Sequence, residues 1–203
     1  MKIGILALQG AFAEHEAVLR ALGADVVQVR LPQQLGGLQG LIIPGGESTT
    51  MAKLMAAYQL EQPIRQLAEQ GVPLWGTCAG MIAMARDIDG SLQPRLGLMD
   101  IAVSRNAFGR QVDSFEQDLA IAVLGHQPFH AVFIRAPLLT RVGPAVRVLA
   151  RLQDGRMVAA QERNLLVTAF HPELTADNRF HALFLNLAGS ANGLSSGAAT
   201  NLA

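Results

Sequence analysis

Residues 72–86 read VPLWGTCAGMIAMAR, and the fold class follows from this stretch. Its first four residues predict a buried strand, residues 81–86 predict a helix, and Gly-Thr-Cys-Ala-Gly joins them. Small residues around Cys78 permit the sharp strand-to-helix turn that lifts a nucleophile above a sheet. The helix amino terminus favours a thiolate, and the N–H of Ala79 points to where an oxyanion would form. A lone cysteine is more often a small buried hydrophobic residue, but this context favours a nucleophile.

The rest of the first ninety residues alternates apolar runs with helical patterns, as parallel α/β units do. Strands are predicted at 2–8, 25–29, 41–43 and 72–75. Helices are predicted at 11–22, 51–60, 63–70 and 81–86. Because the carboxyl ends of parallel strands lie at one edge of a sheet, three turns are expected to meet there. These turns are Gln9-Gly10, Gly45-Gly46 and Thr77-Cys78.

From about residue 96 the chain is rich in strand-like segments, with turns that favour antiparallel pairing. The segments are 98–104, 119–123, 131–136, 146–152, 157–162 and 166–170. The polar stretch 106–118 predicts a mobile loop, and a last helix is predicted at 178–187. Residues 188–203 are rich in Gly, Ser, Ala and Asn, so we expect a disordered tail there. Residues 1–187 are expected to form a single domain.

Composition excludes several classes of function. The 203 residues include 16 basic and 16 acidic side chains, so no overall field would attract nucleic acid or a membrane surface. Half of the residues are hydrophobic, which excludes disorder for the body of the chain. The single cysteine excludes an internal disulfide and fits a reducing compartment. No leader pattern and no apolar run of about 18 residues is found, so we expect a cytoplasmic protein.

A cysteine nucleophile needs a base, and His171 is the best candidate. It follows the strand-like run 166–170, so it is expected at an edge of the same sheet. Pro172 stiffens the turn, and Glu173 can reach back to orient the imidazole. On its own, His-Pro-Glu fits a turn or a cap equally well. The other histidines have no spacing that suits zinc, so no metal is expected: His15, His126, His130 and His181.

Two further features fit a site for an amino-acid substrate. Gly45-Gly46 follows a predicted strand and can supply a second oxyanion donor, because glycine lets a backbone approach a substrate closely. The alternative is a simple strand-to-helix turn capped by Ser48 or Thr49. Arg105 and Arg135 each follow a strand-like run and can bind an α-carboxylate, although either can equally be a solvated edge residue.

The combined motifs resemble those of one family, the glutaminase subunits of the pyridoxal 5'-phosphate synthase complex, which are class I glutamine amidotransferases. The likeness covers nearly all of residues 1–187. The cysteine turn and His-Pro-Glu are shared across class I amidotransferases, and the other motifs are typical of this branch. The motifs are LALQG at 6–10, Glu14-His15, PGGESTT at 44–50, GTCAG at 76–80, Arg105-Asn106, FIRAP at 133–137 and FHPE at 170–173.

The resemblance implies a three-layer, flavodoxin-like class I amidotransferase fold, with a mostly parallel central sheet and an antiparallel portion in the second half. It implies hydrolysis of L-glutamine to glutamate and ammonia through a cysteinyl thioester, with no cofactor. Cys78 would be the nucleophile, His171 the base, and Glu173 the residue that holds His171. Gly46 and Ala79 would form the oxyanion hole. Residues that would line the glutamine site are Gly46, Glu47, Ser48, Arg105, Ile134 and Arg135.

The partner implied by the resemblance is a (β/α)8-barrel synthase subunit, which would use the ammonia to make pyridoxal 5'-phosphate from a pentose phosphate and a triose phosphate. Three alternatives stay open at this point. The chain can be a class I amidotransferase of another pathway, a stand-alone cysteine hydrolase or peptidase, or an interaction module that lost its chemistry. Retention of Cys78, His171 and Glu173 argues against the last of these.

Overall fold

Strands and helices alternate in the first half of the chain, and the second half is mostly strands. The computed structural model describes residues 1–105 and 114–195. The strands in these ranges are β1 (Lys2–Leu6), β2 (Asp25–Val29), β3 (Gly40–Ile43), β4 (Leu74–Thr77), β5 (Ala85–Ile88), β6 (Met99–Ser104), β7 (Ser114–Leu119), β8 (Phe129–Ile134), β9 (Leu138–Val142), β10 (Arg147–Arg151), β11 (Met157–Glu162) and β12 (Leu165–Thr168). The helices are α1 (Phe12–Ala21), α2 (Ser48–Ala57), α3 (Glu61–Glu69), α4 (Ala79–Met84) and α5 (Arg179–Ser195).

One large sheet joins the two halves of the chain. Its strand order is β2-β1-β3-β4-β12-β11-β9-β6-β5, and β10 pairs with β11. Neighbouring strands from β2 to β12 are parallel, whereas β12, β11, β9 and β6 pair antiparallel in turn. β7 and β8 form a separate antiparallel pair. The predicted α/β class, with a mostly parallel central sheet and an antiparallel portion in the second half, is confirmed.

The position of β12 decides which residues meet at the edge of the sheet. β12 lies parallel to β4, with Thr168 opposite Thr77. The residues that follow each strand therefore leave the sheet at the same edge, because parallel strands end on the same side. Cys78 and His171 come together for this reason, although they are far apart in the sequence.

Several predicted segments are wrong after residue 80. The helix predicted at 81–86 ends at Met84, and β5 follows it directly, because an apolar run fits a buried helix or strand equally well. β7 occupies the end of the predicted loop, and its partner β8 supplies hydrogen bonds that local sequence does not reveal. The predicted strand at 119–123 stops at Leu119, and β9 was not predicted. Residues 106–113 of the loop lie outside the described residues.

The last helix is longer than predicted. It was expected to end near residue 187, but α5 continues to Ser195, so the first eight residues of the expected tail are helical. Ala188 is fully buried, which shows that packing extends beyond the predicted end. Tertiary contact therefore outweighs the low helix propensity of Gly189 and Ser190. Residues 196–203 lie outside the described residues.

An aromatic cluster beneath the sheet edge holds α5 in place. Trp75 on β4 stacks on Phe180 with ring centroids 6.1 Å apart, and Phe180 meets Phe129 edge-to-face at 4.9 Å. All three side chains are fully buried, and such burial stabilises a fold by about 1.5–3 kcal/mol for each large apolar side chain. The cluster packs α5 against β4 and β8. Across residues 1–105 and 114–195, no helix combines the length and apolar character that crossing a bilayer requires.

Candidate active site

Cys78 sits on a strained turn between β4 and α4. Its backbone has φ 48° and ψ −105°, a left-handed conformation that costs on the order of 1–3 kcal/mol for a residue with a side chain. The surrounding structure holds this turn, since the Cys78 N–H donates to the carbonyl of Thr168 at 2.8 Å. A side chain at Gly80 would collide with the carbonyl of Ile43, and one at Gly76 would collide with the carbonyl of Gly80. The two glycines of the predicted motif are therefore needed for close backbone packing.

His171 and Glu173 stand beside this turn, just after β12. The His171 N–H donates to the carbonyl of Val132 at 2.9 Å, which anchors the segment to β8. Nδ1 of His171 lies 2.7 Å from Oε1 of Glu173, and both side chains are buried. Because a carboxylate only accepts, Nδ1 carries the proton and donates it to Oε1. The other ring nitrogen, Nε2, is then available to Cys78.

The charges of this group depend on one another. Burial works against a charged imidazole, but hydrogen bonds and charge interactions with Cys78 and Glu173 outweigh it and raise the pKa of His171 to about 10. For Glu173, burial opposes ionisation, but the nearby imidazoles of His15 and His171 lower the pKa of the carboxyl. Glu173 is therefore a carboxylate at neutral pH, which is the state that stabilises an imidazolium.

The Cys78 side chain and its neighbours are closely packed. Only 7% of Cys78 is exposed, and its Sγ lies 3.8 Å from the carbonyl oxygen of Ile134. Gly45 packs against both reactive side chains, because a Cβ built on it would collide with the His171 ring and lie 3.3 Å from Cβ of Cys78. The Gly45 carbonyl accepts a hydrogen bond from the N–H of Ala11 at 3.1 Å. The three predicted turns thus meet at this edge.

A cavity of about 610 Å³ opens above Cys78 and His171. Every residue predicted for the oxyanion hole or the substrate lines it, together with Ile82 and Ser114, which the sequence did not single out. Glu173 does not line the cavity, because it lies behind His171. The lining residues are Gly46, Glu47, Ser48, Cys78, Ala79, Ile82, Arg105, Ser114, Ile134, Arg135 and His171.

Glu47 has a structural task besides lining the cavity. It caps α2, since its carboxylate accepts from the N–H groups of Thr49 at 2.9 Å and Thr50 at 2.6 Å. The hydroxyl of Thr50 and these N–H groups lower the pKa of Glu47 to about 2. Ser48 and Thr49, the caps considered from sequence, are not the cap. Gln9 holds the same turn, because its amide exchanges hydrogen bonds with the Glu47 backbone at 3.1 and 3.2 Å.

Gln93 is a site residue that the sequence analysis missed. It is only 9% exposed, and its Oε1 accepts from Nη1 of Arg105 at 2.8 Å and from Oγ of Ser48 at 3.3 Å. It therefore ties one candidate carboxylate-binding arginine to the start of α2. Arg135, the other candidate, has φ 44° and lies just after β8. No local pattern around residue 93 signals this role, because the contact depends on tertiary structure.

His15, set aside in the sequence analysis, lies behind the candidate triad. Its Nε2 is 3.3 Å from Oε2 of Glu173, and both side chains are buried. Within the described ranges, no group of three or more His, Cys, Asp or Glu side chains is arranged to hold a metal ion. The site therefore offers a thiol, an imidazole and a carboxylate, set for proton transfer and nucleophilic attack.

A cysteine on a strand-to-helix turn, with a His–Glu pair just after the adjacent parallel strand of an α/β fold, is the arrangement of a class I glutamine amidotransferase. The SNO glutamine amidotransferase family matches residues 5–189, and the chain belongs to that family.

Curated relatives and solved structures agree with this assignment. The chain is 62% identical over 190 residues to a pyridoxal 5'-phosphate synthase subunit PdxT of Herpetosiphon aurantiacus, which covers 92% of this chain and all of the relative. It is 59% identical over 189 residues to PdxT of Moorella thermoacetica, over 93% of this chain and all of the relative. A crystal structure described as a glutamine amidotransferase superposes with a TM-score of 0.87 at 51% identity, over 92% of this chain and 98% of the other.

Proposed function

We propose that this chain is the glutaminase subunit of a pyridoxal 5'-phosphate synthase, which hydrolyses L-glutamine and delivers ammonia to its synthase partner. The observation that carries the chemistry is the hydrogen-bonded pair of His171 and Glu173 beside Cys78, under a cavity lined by two arginines. The pathway is supported by the 55–62% identity to subunits that carry this name. Residues 1–187 are proposed to form one glutaminase domain.

The first half of the reaction transfers the acyl group to Cys78. The Sγ proton passes to Nε2 of His171, and Sγ attacks the side-chain amide carbon of glutamine. The imidazolium then returns the proton to the amide nitrogen, the C–N bond breaks, and ammonia leaves with a thioester behind it. Glu173 stabilises the imidazolium in between, and its hydrogen bond keeps the ring oriented.

The second half releases glutamate. Water attacks the thioester, Nε2 of His171 accepts its proton, and the proton returns to Sγ as the C–S bond breaks. The enzyme is thereby restored, and the net reaction consumes one water and one glutamine. The burial of Cys78 and His171 limits the access of other water to the thioester.

The oxyanion formed in each half-reaction needs two donors, for which we propose the N–H groups of Ala79 and Gly46. Ala79 is the first residue of α4, so its N–H has no partner within the helix. The Gly45–Gly46 peptide is held by the Ala11 N–H, and any reorientation of this peptide has to break that hydrogen bond. Docking of the synthase is proposed to complete the hole, because losing one donor typically raises the barrier by about 3–4 kcal/mol.

Recognition of the amino-acid end of glutamine falls to the charged residues of the cavity. Arg105 and Arg135 are proposed to bind the α-carboxylate, for which a guanidinium is well shaped. Glu47 supplies negative charge at the same cavity and suits the α-ammonium group. Ser48 and Ile134 complete the wall.

The partner is proposed to be a (β/α)8-barrel synthase that makes pyridoxal 5'-phosphate from a pentose phosphate and a triose phosphate. Ammonia passes directly to that subunit, which keeps it from being protonated in bulk water. The chain itself needs no cofactor for this chemistry, and the cytoplasm is the proposed location of the complex.

The decisive experiment measures glutamate release with and without the synthase subunit. Wild type is expected to be stimulated by the synthase, and Cys78→Ala is expected to be inactive but to bind the synthase as tightly as wild type. Glutaminase activity in Cys78→Ala equal to that of wild type would contradict the proposal. Stimulation by an unrelated amidotransferase partner instead would assign the chain to another pathway.

A further inference from the structure

A chain of buried polar side chains continues inward from Glu173. Nε2 of His15 lies 3.3 Å from Oε2 of Glu173, and Nδ1 of His15 lies 2.9 Å from Nε2 of His181. His15 belongs to α1, His181 to α5, and both are fully buried. Neither histidine lines the substrate cavity. This series of buried side chains therefore connects α1 and α5 to the side of Glu173 that faces away from His171.

Both histidines are neutral in this environment. Burial is the main cause that lowers the pKa of His15, and burial together with the nearby His15 lowers the pKa of His181 to about 3. Trp75 closes the space around them, with ring centroids 5.5 Å from His15 and 5.0 Å from His181. A neutral imidazole carries one N–H, so each ring donates from one nitrogen only.

The positions of the partners select one tautomer for His15. If Nε2 carries the proton, that N–H lies between Oε2 of Glu173 and Oγ1 of Thr77, each 3.3 Å away, and Nδ1 accepts from the Nε2–H of His181. If Nδ1 carries the proton, a bare Nε2 faces Oε2 of the carboxylate, and two lone pairs meet. The second arrangement also leaves an N–H on Nδ1 of His181, which has no hydrogen-bond partner among the described residues. The first arrangement avoids both costs.

Oε2 of Glu173 needs this donor. Among the described residues it has no hydrogen bond of good geometry, and the Nε2–H of His15 at 3.3 Å is shared with Oγ1 of Thr77, also at 3.3 Å. Replacing both partners of such a pair by apolar groups of the same shape is often nearly neutral for stability, whereas removing one partner leaves the other unsatisfied. The benefit of His15 lies at the carboxylate.

We propose that His15 is a positioning residue for glutamine hydrolysis, whose Nε2–H holds the second oxygen of Glu173 so that the first oxygen stays aligned on Nδ1 of His171. The role of His15 rests on the proposed function of Cys78, His171 and Glu173. It adds a fourth residue that acts through Glu173 and does not touch the substrate.

A loss of this donor has a predictable effect on pH dependence. The charged or titratable groups that influence the pKa of His15 are Glu173, His171 and Glu14, and His181 is hydrogen-bonded to Nδ1 of His15. The groups that influence the pKa of Glu173 are His15 and His171. Without the His15 donor, ionised Glu173 is less stable, so it takes up a proton at a higher pH. The imidazolium of His171 then loses the support of the carboxylate at a higher pH, so the acid limb of Cys78 alkylation, which is the pH range where the rate falls on acidification, moves to higher pH.

The rate of alkylation by iodoacetamide reports the pH dependence of Cys78 directly, because Cys78 is the single cysteine of the protein. The rate is measured against pH for wild type, His15→Phe and His15→Gln. Phe puts a somewhat larger ring without a donor at this position, whereas Gln places an amide N–H where Nε2 stood. The exposed His130→Gln is the control for losing a histidine elsewhere. Unfolding free energies of all four proteins separate stability from reactivity.

The expected result is an acid limb about one to two pH units higher in His15→Phe, since a hydrogen bond to a charged group is lost. His15→Gln is expected to recover most of the shift, and His130→Gln to show none. With the synthase present, His15→Phe is expected to lower kcat for glutamine by about tenfold to a hundredfold, as loss of an orienting partner does at metal sites, with KM within about twofold.

Several results would overturn the role of His15. One is an acid limb of alkylation in His15→Phe that is unchanged from wild type. Another is an equal loss of activity in His15→Gln and His15→Phe that follows their loss of stability. A shift reproduced by Thr77→Val would place the effect at the cysteine turn instead of Glu173. If His15→Phe does not fold, ¹⁵N NMR of wild type decides, since a proton on Nδ1 of His15 contradicts the proposal. If the alkylation shifts of the His15 variants are as expected but wild type releases no glutamate, the result would contradict the glutaminase function and not the role of His15.

Discussion

Nδ1 of His171 donates to Oε1 of Glu173 across 2.7 Å, and the two residues are separated only by Pro172. A short local link of this kind keeps the imidazole in one tautomer without help from a distant loop. Nε2 is consequently the ring nitrogen left for the thiol, as the proposed general-base role requires. The charge of Glu173 and the position of the ring are therefore controlled by the same hydrogen bond.

The first prediction concerns the titration of His171. Replacing Cys78 by Ala removes the hydrogen bond and charge interaction that raise the pKa of His171, so this pKa is expected to fall below about 10. The NMR titration of the His171 ring in Cys78→Ala and wild type measures the change. An unchanged or higher value in Cys78→Ala would show that the thiol does not interact with the ring.

The same pKa has a consequence for stability. The folded-state value of His171, about 10, lies above the ordinary 6.5, so its contribution is complete below about pH 6.5 and is lost as pH rises towards 10. Glu173 has a lowered pKa, so its contribution is present above the ordinary 4.5 and is lost as pH falls below it. Urea unfolding of wild type and His171→Gln is therefore expected to differ most between these limits.

Gly45→Ala is expected to abolish glutaminase activity while the protein still folds. The added methyl group would collide with Cε1 of His171 and approach Cβ of Cys78, so the ring has to leave its position. Glutamate release and circular dichroism measure the two properties. Gly36→Ala is the matched control, because a Cβ there meets only the carbonyl of Gln33 at 3.7 Å. Full activity in Gly45→Ala would contradict the observed position of His171.

Gly80→Ala is expected to lower the free energy of unfolding by about 1–3 kcal/mol, the range for overpacking a closed site. Its Cβ would collide with the carbonyl of Ile43, which is part of β3 and cannot easily move. Gly189→Ala on α5 is the control, since a Cβ there meets only Cε of Met1 at 3.4 Å and alanine favours a helix. Thermal and urea unfolding compare the two; equal effects would contradict the packing argument.

Gln93→Leu is expected to raise KM for glutamine by about fivefold to tenfold and to change kcat little. Arg105 loses the acceptor at 2.8 Å that orients its guanidinium, and a hydrogen bond to a charged group contributes about 1.5–3 kcal/mol before solvent screening. Steady-state kinetics with the synthase measure both constants. Gln93→Glu keeps an acceptor for Arg105 and is the matched variant. A loss of kcat alone in Gln93→Leu would show that Gln93 acts elsewhere.

Local sequence was informative wherever the conformation of a short segment depends on its own residues. The small residues around Cys78 predicted the turn because side chains at Gly76 and Gly80 would collide with neighbouring backbone carbonyls. Gly45 was placed at the sheet edge because it follows a strand in a parallel α/β pattern. The end of α5 and the strand β7 were predicted wrongly, because burial of Ala188 and pairing with β8 depend on residues that are distant in sequence.

The sequence by itself determined the α/β class, through the alternation of strand and helix patterns over the first ninety residues. It also determined the cysteine turn and the pairing of His171 with Glu173, since each of these depends on a few neighbouring residues. Only the tertiary structure decided that β12 lies beside β4, which brings the two reactive side chains to one edge. It also decided that Gln93 holds Arg105 and that His15 stands behind Glu173. These contacts join separate elements, and their geometry is set by how the sheet and helices pack.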